Sequence, residues 1–165
     1  MTTNDIPDIT AIATLGLGEA GTAITTGLAQ AWRKDNPSRR ILAVDIALGD
    51  NVRGAAIKDR ALAIGVEIEG SYTKKLSDAG AVFCVVTGIE AKNAALAARD
   101  VLKPGTLFFD VNTLTGPQTA DIAQEMAKAG IDYVDFAAMG GFATSGHQVP
   151  FLISGPAAQR AAAFL

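Results

Sequence analysis

The sequence predicts an α/β fold, a mostly parallel β-sheet wound on both faces by helices. Two observations carry that reading. Short apolar runs alternate with longer amphipathic ones along the chain, the order expected of strands joined by helical crossovers. The first apolar run also leads straight into "LGLGEAG", a glycine cluster placed where a strand would give way to a helix.

The elements follow in order. "ITAIATL" (9–15) reads as a buried strand, and a helix over Glu19 to Lys34 would turn Ala20, Ile24, Leu28 and Ala31 inward. After the "DNPSRR" loop, "ILAVD" (41–45) is the second strand, and "NVRGAAIKDRALAIG" is a helix closed by Gly65. "VEIE" is a weak third strand. "AVFCVVT" (81–87) is apolar throughout and should be central, followed by a helix over "EAKNAALAARDVL" that "KPG" stops before "TLFFDVN" (106–112). A helix over "PQTADIAQEMAKAG", strands over "DYVDFA" and "PFLISG", and the start of a helix at "PAAQRAAAFL" complete the chain. Residues 1–8 read as a flexible tail and 9–165 as one domain.

"LGLGEAG" sets Gly16, Gly18 and Gly21 in G-x-G-x-x-G spacing. Such spacing suits a dinucleotide: Gly16 for the tight turn, Gly18 for backbone approach to a pyrophosphate, and Gly21 for close helix–strand packing. The pyrophosphate would rest on unpaired N–H groups of Gly16, Leu17, Gly18, Glu19, Ala20 and Gly21, at the positive end of the helix dipole. Asp45, 24 residues after Gly21 at the end of the second strand, suits the adenosine ribose hydroxyls and favours NAD. Arg39, Arg40 and Arg53 keep NADP open as the alternative, because a guanidinium holds a 2′-phosphate. This is a Rossmann-type doubly wound arrangement, whose ligands bind beyond the carboxyl ends of the strands. Val86 and Thr87, then Asn112 and Thr113, stand at two such ends.

Several classes are disfavoured. The net charge is −3 and the 14 Lys and Arg residues are dispersed, so no basic stripe invites nucleic acid. No apolar run approaches the ~20 residues of a membrane span. The single cysteine, Cys84, lies in an apolar run and makes no internal pair, which fits the cytoplasm. No metal site is expected. A methyltransferase-like domain binding another adenosine ligand is the weaker competing fold reading.

The glycine turn, "FFDVNTLTGP" and "VDFAAMGG" together resemble the β-hydroxyacid dehydrogenase and 6-phosphogluconate dehydrogenase superfamily, of which 3-hydroxyisobutyrate dehydrogenase is a member. The last two look like its Asp-x-Ser-Thr-x-x-Pro and Asp-Ala-Pro-Val-Ser-Gly-Gly segments. "YVDFAAMGGFATSGHQVPFLISGP" looks like a bacterial phosphogluconate dehydrogenase-like subgroup. The resemblance implies an NAD(P)-dependent oxidoreductase that moves a hydride between nicotinamide and a small hydroxy acid or related compound, with a homodimeric full-length parent. It implies that Asn112 and Thr113 lie near nicotinamide and substrate, and that Gly140 and Gly141 offer N–H groups to a substrate carboxylate.

This sequence departs from the pattern in three ways. Met139 replaces the serine of Ser-Gly-Gly, and Gly116 is an extra residue before Pro117. The family's acid/base lysine belongs to a helical C-terminal domain, and the chain stops at Leu165 before it, so the domain is expected to be truncated and to lack that lysine. None of the lysines at 34, 58, 74, 75, 92, 103 and 128 is assigned its role. The alternative is a non-catalytic dinucleotide-binding or sensing module. His147, the only histidine, is the candidate substitute proton donor on a substrate-side loop that also holds Met139, since imidazole exchanges protons near neutral pH.

Overall fold

The computed structural model describes residues 9–34 and 36–165; the expected tail at 1–8 lies outside them. Seven strands form one sheet in the order β3-β2-β1-β4-β5-β6-β7. They are β1 (Ala11–Leu15), β2 (Arg40–Val44), β3 (Glu67–Glu69), β4 (Ala81–Cys84), β5 (Leu107–Asp110), β6 (Asp132–Ala138) and β7 (Phe151–Ser154). The first six run parallel, and β7 returns antiparallel along β6, pairing Asp135 with Ser154 and Ala138 with Phe151. The order reverses between β1 and β4, which opens a crevice at their carboxyl ends.

The helices are α1 (Glu19–Trp32), α2 (Gly54–Ile64), α3 (Ala91–Arg99), α4 (Gly116–Lys128), the short α5 (Phe142–Ser145) and α6 (Ala158–Phe164). Strand parity explains why both sheet faces need cover. Ala13, Leu15, Val82, Cys84 and Phe108 point into one layer with Ala94, Ala95, Ala98, Ile122 and Met126 of α3 and α4. Their neighbours Ile12, Phe83, Phe109 and Phe136 point into the other, beneath α1 and α6. Phe83 and Phe109 stack there with ring centroids 4.6 Å apart, and Phe136 meets Phe109 edge-on at 5.3 Å.

Two expectations shift. The buried stripe of α1 is Gly21, Ile24, Thr25 and Gly27, whereas Ala31 is exposed and Ala20 and Leu28 are only half-buried. The small residues win because they let the helix lie close: the Thr25 hydroxyl donates to the Gly21 carbonyl at 2.6 Å and meets the Thr14 hydroxyl of β1 at 3.0 Å. Gly116, the extra residue, becomes the first residue of α4 rather than loop. Thr115 precedes it, and Gln118 Oε1 accepts from both the N–H and the hydroxyl of Thr115 at 2.9 Å.

Candidate functional site

The chain leaves β1 through Gly16, whose φ of +88° places it in the left-handed region. A side chain there would also strike the Val85 carbonyl, and one on Gly21 would strike the carbonyl of Gly16, so both glycines are required by the turn itself. Gly18 differs. Space for a side chain is open around it, and as the residue preceding α1 it supplies no side-chain cap. The first N–H groups of α1 therefore face outward at the positive end of the helix dipole.

Asp45 follows β2 and binds this turn directly. Its Oδ2 accepts the N–H of Leu17 at 2.9 Å and its Oδ1 the N–H of Ala47 at 3.0 Å. Two of the amides expected to be unpaired are therefore occupied: that of Gly16 donates to the Val44 carbonyl at 2.7 Å and that of Leu17 to Asp45, and the Leu17 side chain is buried against Ala43, Ile57 and Ala61. The Leu17 carbonyl accepts from Arg60 Nη1 at 3.1 Å and from the Thr22 hydroxyl at 3.2 Å. Arg60 was not singled out in the sequence, because nothing in a helical position one turn before the end of α2 marks it as reaching the glycine turn.

Beside the turn lies a cleft of about 200 Å³ lined by Gly16, Asp45, Ile46, Tyr72, Val86 and Asn93, among others. Burial pushes the Tyr72 hydroxyl up to about 12, helped by the neighbouring Cys84, Asp45 and Glu90. The tyrosine stays a neutral hydrogen-bonding group.

The arginines sort by position. Arg40 opens β2 and pairs with Asp78 at 3.3 Å, and Arg39 lies over the Trp32 ring at 4.9 Å, both at the amino end of the sheet. Asp45 is five residues further along, roughly 16 Å at strand rise. Arg39 and Arg40 are thus corrected as phosphate candidates. Arg53 remains on the carboxyl side, paired with Asp50 at 3.3 Å.

At the ends of β4 and β5, Val86, Thr87, Asn112 and Thr113 come together. A side chain on Gly88 would lie 3.2 Å from the Thr113 carbonyl, and Thr87 and Thr113 are exposed. Asn112 is turned inward instead. Its Oδ1 accepts the Val86 N–H at 2.8 Å, and its Nδ2 donates to Asp110 Oδ1 at 2.6 Å and lies 3.5 Å from Cys84 Sγ. The Tyr133 hydroxyl donates to the other Asp110 oxygen at 2.7 Å. Burial pushes the Asp110 carboxyl up, and the bonds from Tyr133 and Asn112 oppose it; burial also pushes the Cys84 thiol and the Tyr133 hydroxyl up. This buried polar cluster was missed in the sequence, although Cys84, Asp110 and Tyr133 share a face by strand parity.

The second glycine segment joins β6 to β7. Met139 is exposed and its N–H donates to the Pro150 carbonyl at 2.8 Å. The amides of Gly140 and Gly141 have no partner among the described residues, while the Gly141 carbonyl accepts the Thr144 hydroxyl at 3.0 Å. His147 stands elsewhere than the sequence reading put it. Its ring lies on Gly27, eight residues into α1 and about 12 Å along the helix from its start. Both ring nitrogens lack a partner among the described residues, and the residue is exposed apart from its contact with α1.

Of the lysines, Lys92 is the one in the first turn of a helix at the carboxyl edge, and its Nζ is held by Asp121 at 2.6 Å. No group of metal-ligating side chains occurs among the described residues, and no helix among them is long and apolar enough to cross a membrane.

No protein-family model matches the chain, and no curated protein matches it. Solved structures do. A conserved hypothetical protein from Sinorhizobium meliloti 1021 is 27% identical, with a TM-score of 0.83 over 97% of this chain and 52% of that one. A Mycobacterium tuberculosis 3-hydroxyisobutyrate dehydrogenase solved with L-serine is 22% identical, with a TM-score of 0.77 over 93% and 50%. An imine reductase from Myxococcus stipitatus in complex with NAD+ is 16% identical, with a TM-score of 0.70 over 94% and 50%. The fold is therefore that of one half of these proteins, and the chain spans about half of their length.

Proposed function

We propose that the chain is the N-terminal, NAD(P)-binding domain of an oxidoreductase of the β-hydroxyacid dehydrogenase superfamily, comprising residues 9–165. The observation that carries the reading is the glycine turn, with an open α1 N-terminus on one side and the Asp45 carboxylate on the other. The residues fit a dinucleotide. Gly18 has room for a phosphate where a Cβ would stand, and each Asp45 oxygen keeps a lone pair for a ribose hydroxyl after accepting its amide.

On this reading, the amides of Gly18, Glu19 and Ala20 take the pyrophosphate, and the cleft at Ile46 and Tyr72 takes the adenosine. Val86, Thr87 and Thr113 flank the nicotinamide, which supplies or accepts the hydride when bound. Asn112 fixes the Val86 amide, and Gly140 and Gly141 present theirs toward a substrate carboxylate. NAD is preferred to NADP, because a 2′-phosphate would meet the Asp45 charge, while Arg39 and Arg40 stand at the other end of the sheet. The parent enzyme, a homodimer acting in the cytoplasm on a small hydroxy acid or related substrate, takes its proton donor from outside this chain.

Calorimetric titration with NADH tests the reading. The chain should bind, and Gly18→Ala should melt at the parent temperature yet bind at least about tenfold more weakly. Absence of binding of both NADH and NADPH would reject it. The second reading is a non-catalytic sensing module that binds the dinucleotide at the same glycine turn. Turnover of small hydroxy acids by a protein that contains this domain would dismiss that second reading.

A further inference from the structure

His147 and Gly27 meet in a contact that requires a glycine on each side. The Cγ, Cβ and Cδ2 atoms of His147 occupy the space that a side chain at position 27 would need. Gly27 lies in the interior of α1, where glycine is less favourable than alanine for the helix itself, so the notch works against local helix stability. On the other partner, Gly146 precedes His147 with φ +55° and ψ −137°, a conformation that side-chain-bearing residues rarely adopt. The turn at Gly146 aims the ring, and the notch at Gly27 receives it.

The rest of the 139–150 segment is held at its ends. The Met139 N–H bonds the Pro150 carbonyl, and the buried Val149 packs on Gly140, whose added side chain would come within 3.1 Å. Between these ends, Phe142 packs on the core beneath α1, its ring centroid 6.2 Å from that of Phe151, while Thr144 and Ser145 are exposed, so the His147 ring on Gly27 is the contact that holds the part of the loop after Phe142 on α1.

We infer that His147 is a positioning residue: it latches the 139–150 loop onto the helix that begins at the dinucleotide turn, and so sets the substrate-side wall relative to the cofactor. The description of this loop as the substrate-side wall rests on the function proposed above. The latch itself does not, and it uses the shape of the ring rather than its protons.

A double-substitution cycle on the cofactor-free chain tests it. Gly27→Ala alone should lower the melting temperature, because the new methyl displaces the ring. In a His147→Gly background, which also removes the Cβ that would meet the new methyl, the same change should raise the melting temperature by roughly 2–4 °C, because alanine then acts only as the better helix former. Amides of residues 143–149 should exchange at least about tenfold faster in either single variant, with those of Phe83 and Phe109 in the core unchanged. His147→Phe keeps a flat ring on Gly27 and should restore slow exchange. The inference is overturned if Gly27→Ala acts with the same sign in both backgrounds, or if loop exchange is equal in all variants. Because no cofactor is present, failure here is distinct from failure of the NADH titration.

Discussion

Asn112 at the end of β5 accepts the backbone N–H of Val86 at the end of β4, at 2.8 Å, so one side chain fixes the two strand ends that border the crevice. The same amide donates to the buried Asp110, which leaves Asn112 with partners on both sides. Replacement by leucine, of similar size, strands the Val86 N–H and removes a donor from the carboxylate. Asn112→Leu should cost about 1–3 kcal/mol, the penalty of unsatisfied buried polar groups. Urea unfolding should show it as a lower midpoint with an unchanged slope.

Asp110 predicts a pH dependence of stability. Its carboxyl is pushed up by burial, so on raising the pH it ionises first in the unfolded chain, near the ordinary value of ~3.9. The folded state then binds more protons than the unfolded one, and stability falls as pH climbs from that value through the raised folded one. Asp110→Asn should remove this falling component. The stability difference between parent and variant, measured by urea melts at several pH values, should shift in favour of the variant as pH rises across that window. A pH-independent difference would contradict the assignment.

Cys84 is fully buried, with its thiol pushed up by burial and by the adjacent Asp110. Thiolate is the reactive form, so the native thiol should be inert. A colourimetric thiol reagent should label it only at the rate of opening, and at once in denaturant. Rapid labelling of the native chain would mean that the β4 end is not closed.

The path of the chain was legible because burial on both sheet faces leaves continuous apolar runs such as "AVFC" and "LFF", and because Gly16 and Gly21 answer steric needs that no other residue meets. What escaped the sequence was long-range and lateral. Arg60 reaches Leu17 from 43 residues away, and Tyr133 reaches Asp110 across a strand pair. His147 illustrates the limit most clearly. Proximity in sequence to Gly140 and Gly141 suggested the active edge, but Gly27, a helix residue 120 positions earlier, decides where the ring goes. The α1 stripe failed for a related reason: hydrophobicity alone overlooks Gly21, Thr25 and Gly27, whose small size permits close packing.

Asp45 joins fold and ligand preference. Both of its oxygens accept backbone amides, from Leu17 and Ala47, so Asp45→Asn turns an NH2 group toward one of them and leaves that N–H unpaired. A stability loss of about 1–2 kcal/mol should follow, comparable to the loss of a helix-capping side chain. The substitution also removes the negative charge that opposes a 2′-phosphate. In the proposed function, NADH affinity should fall about tenfold while NADPH affinity changes less, narrowing the ratio between them. Calorimetric titration of both nucleotides into parent and variant gives that ratio. If Asp45→Asn weakens both equally, Asp45 serves the glycine turn alone and the choice of cofactor is made elsewhere, with Arg53 the next residue to replace.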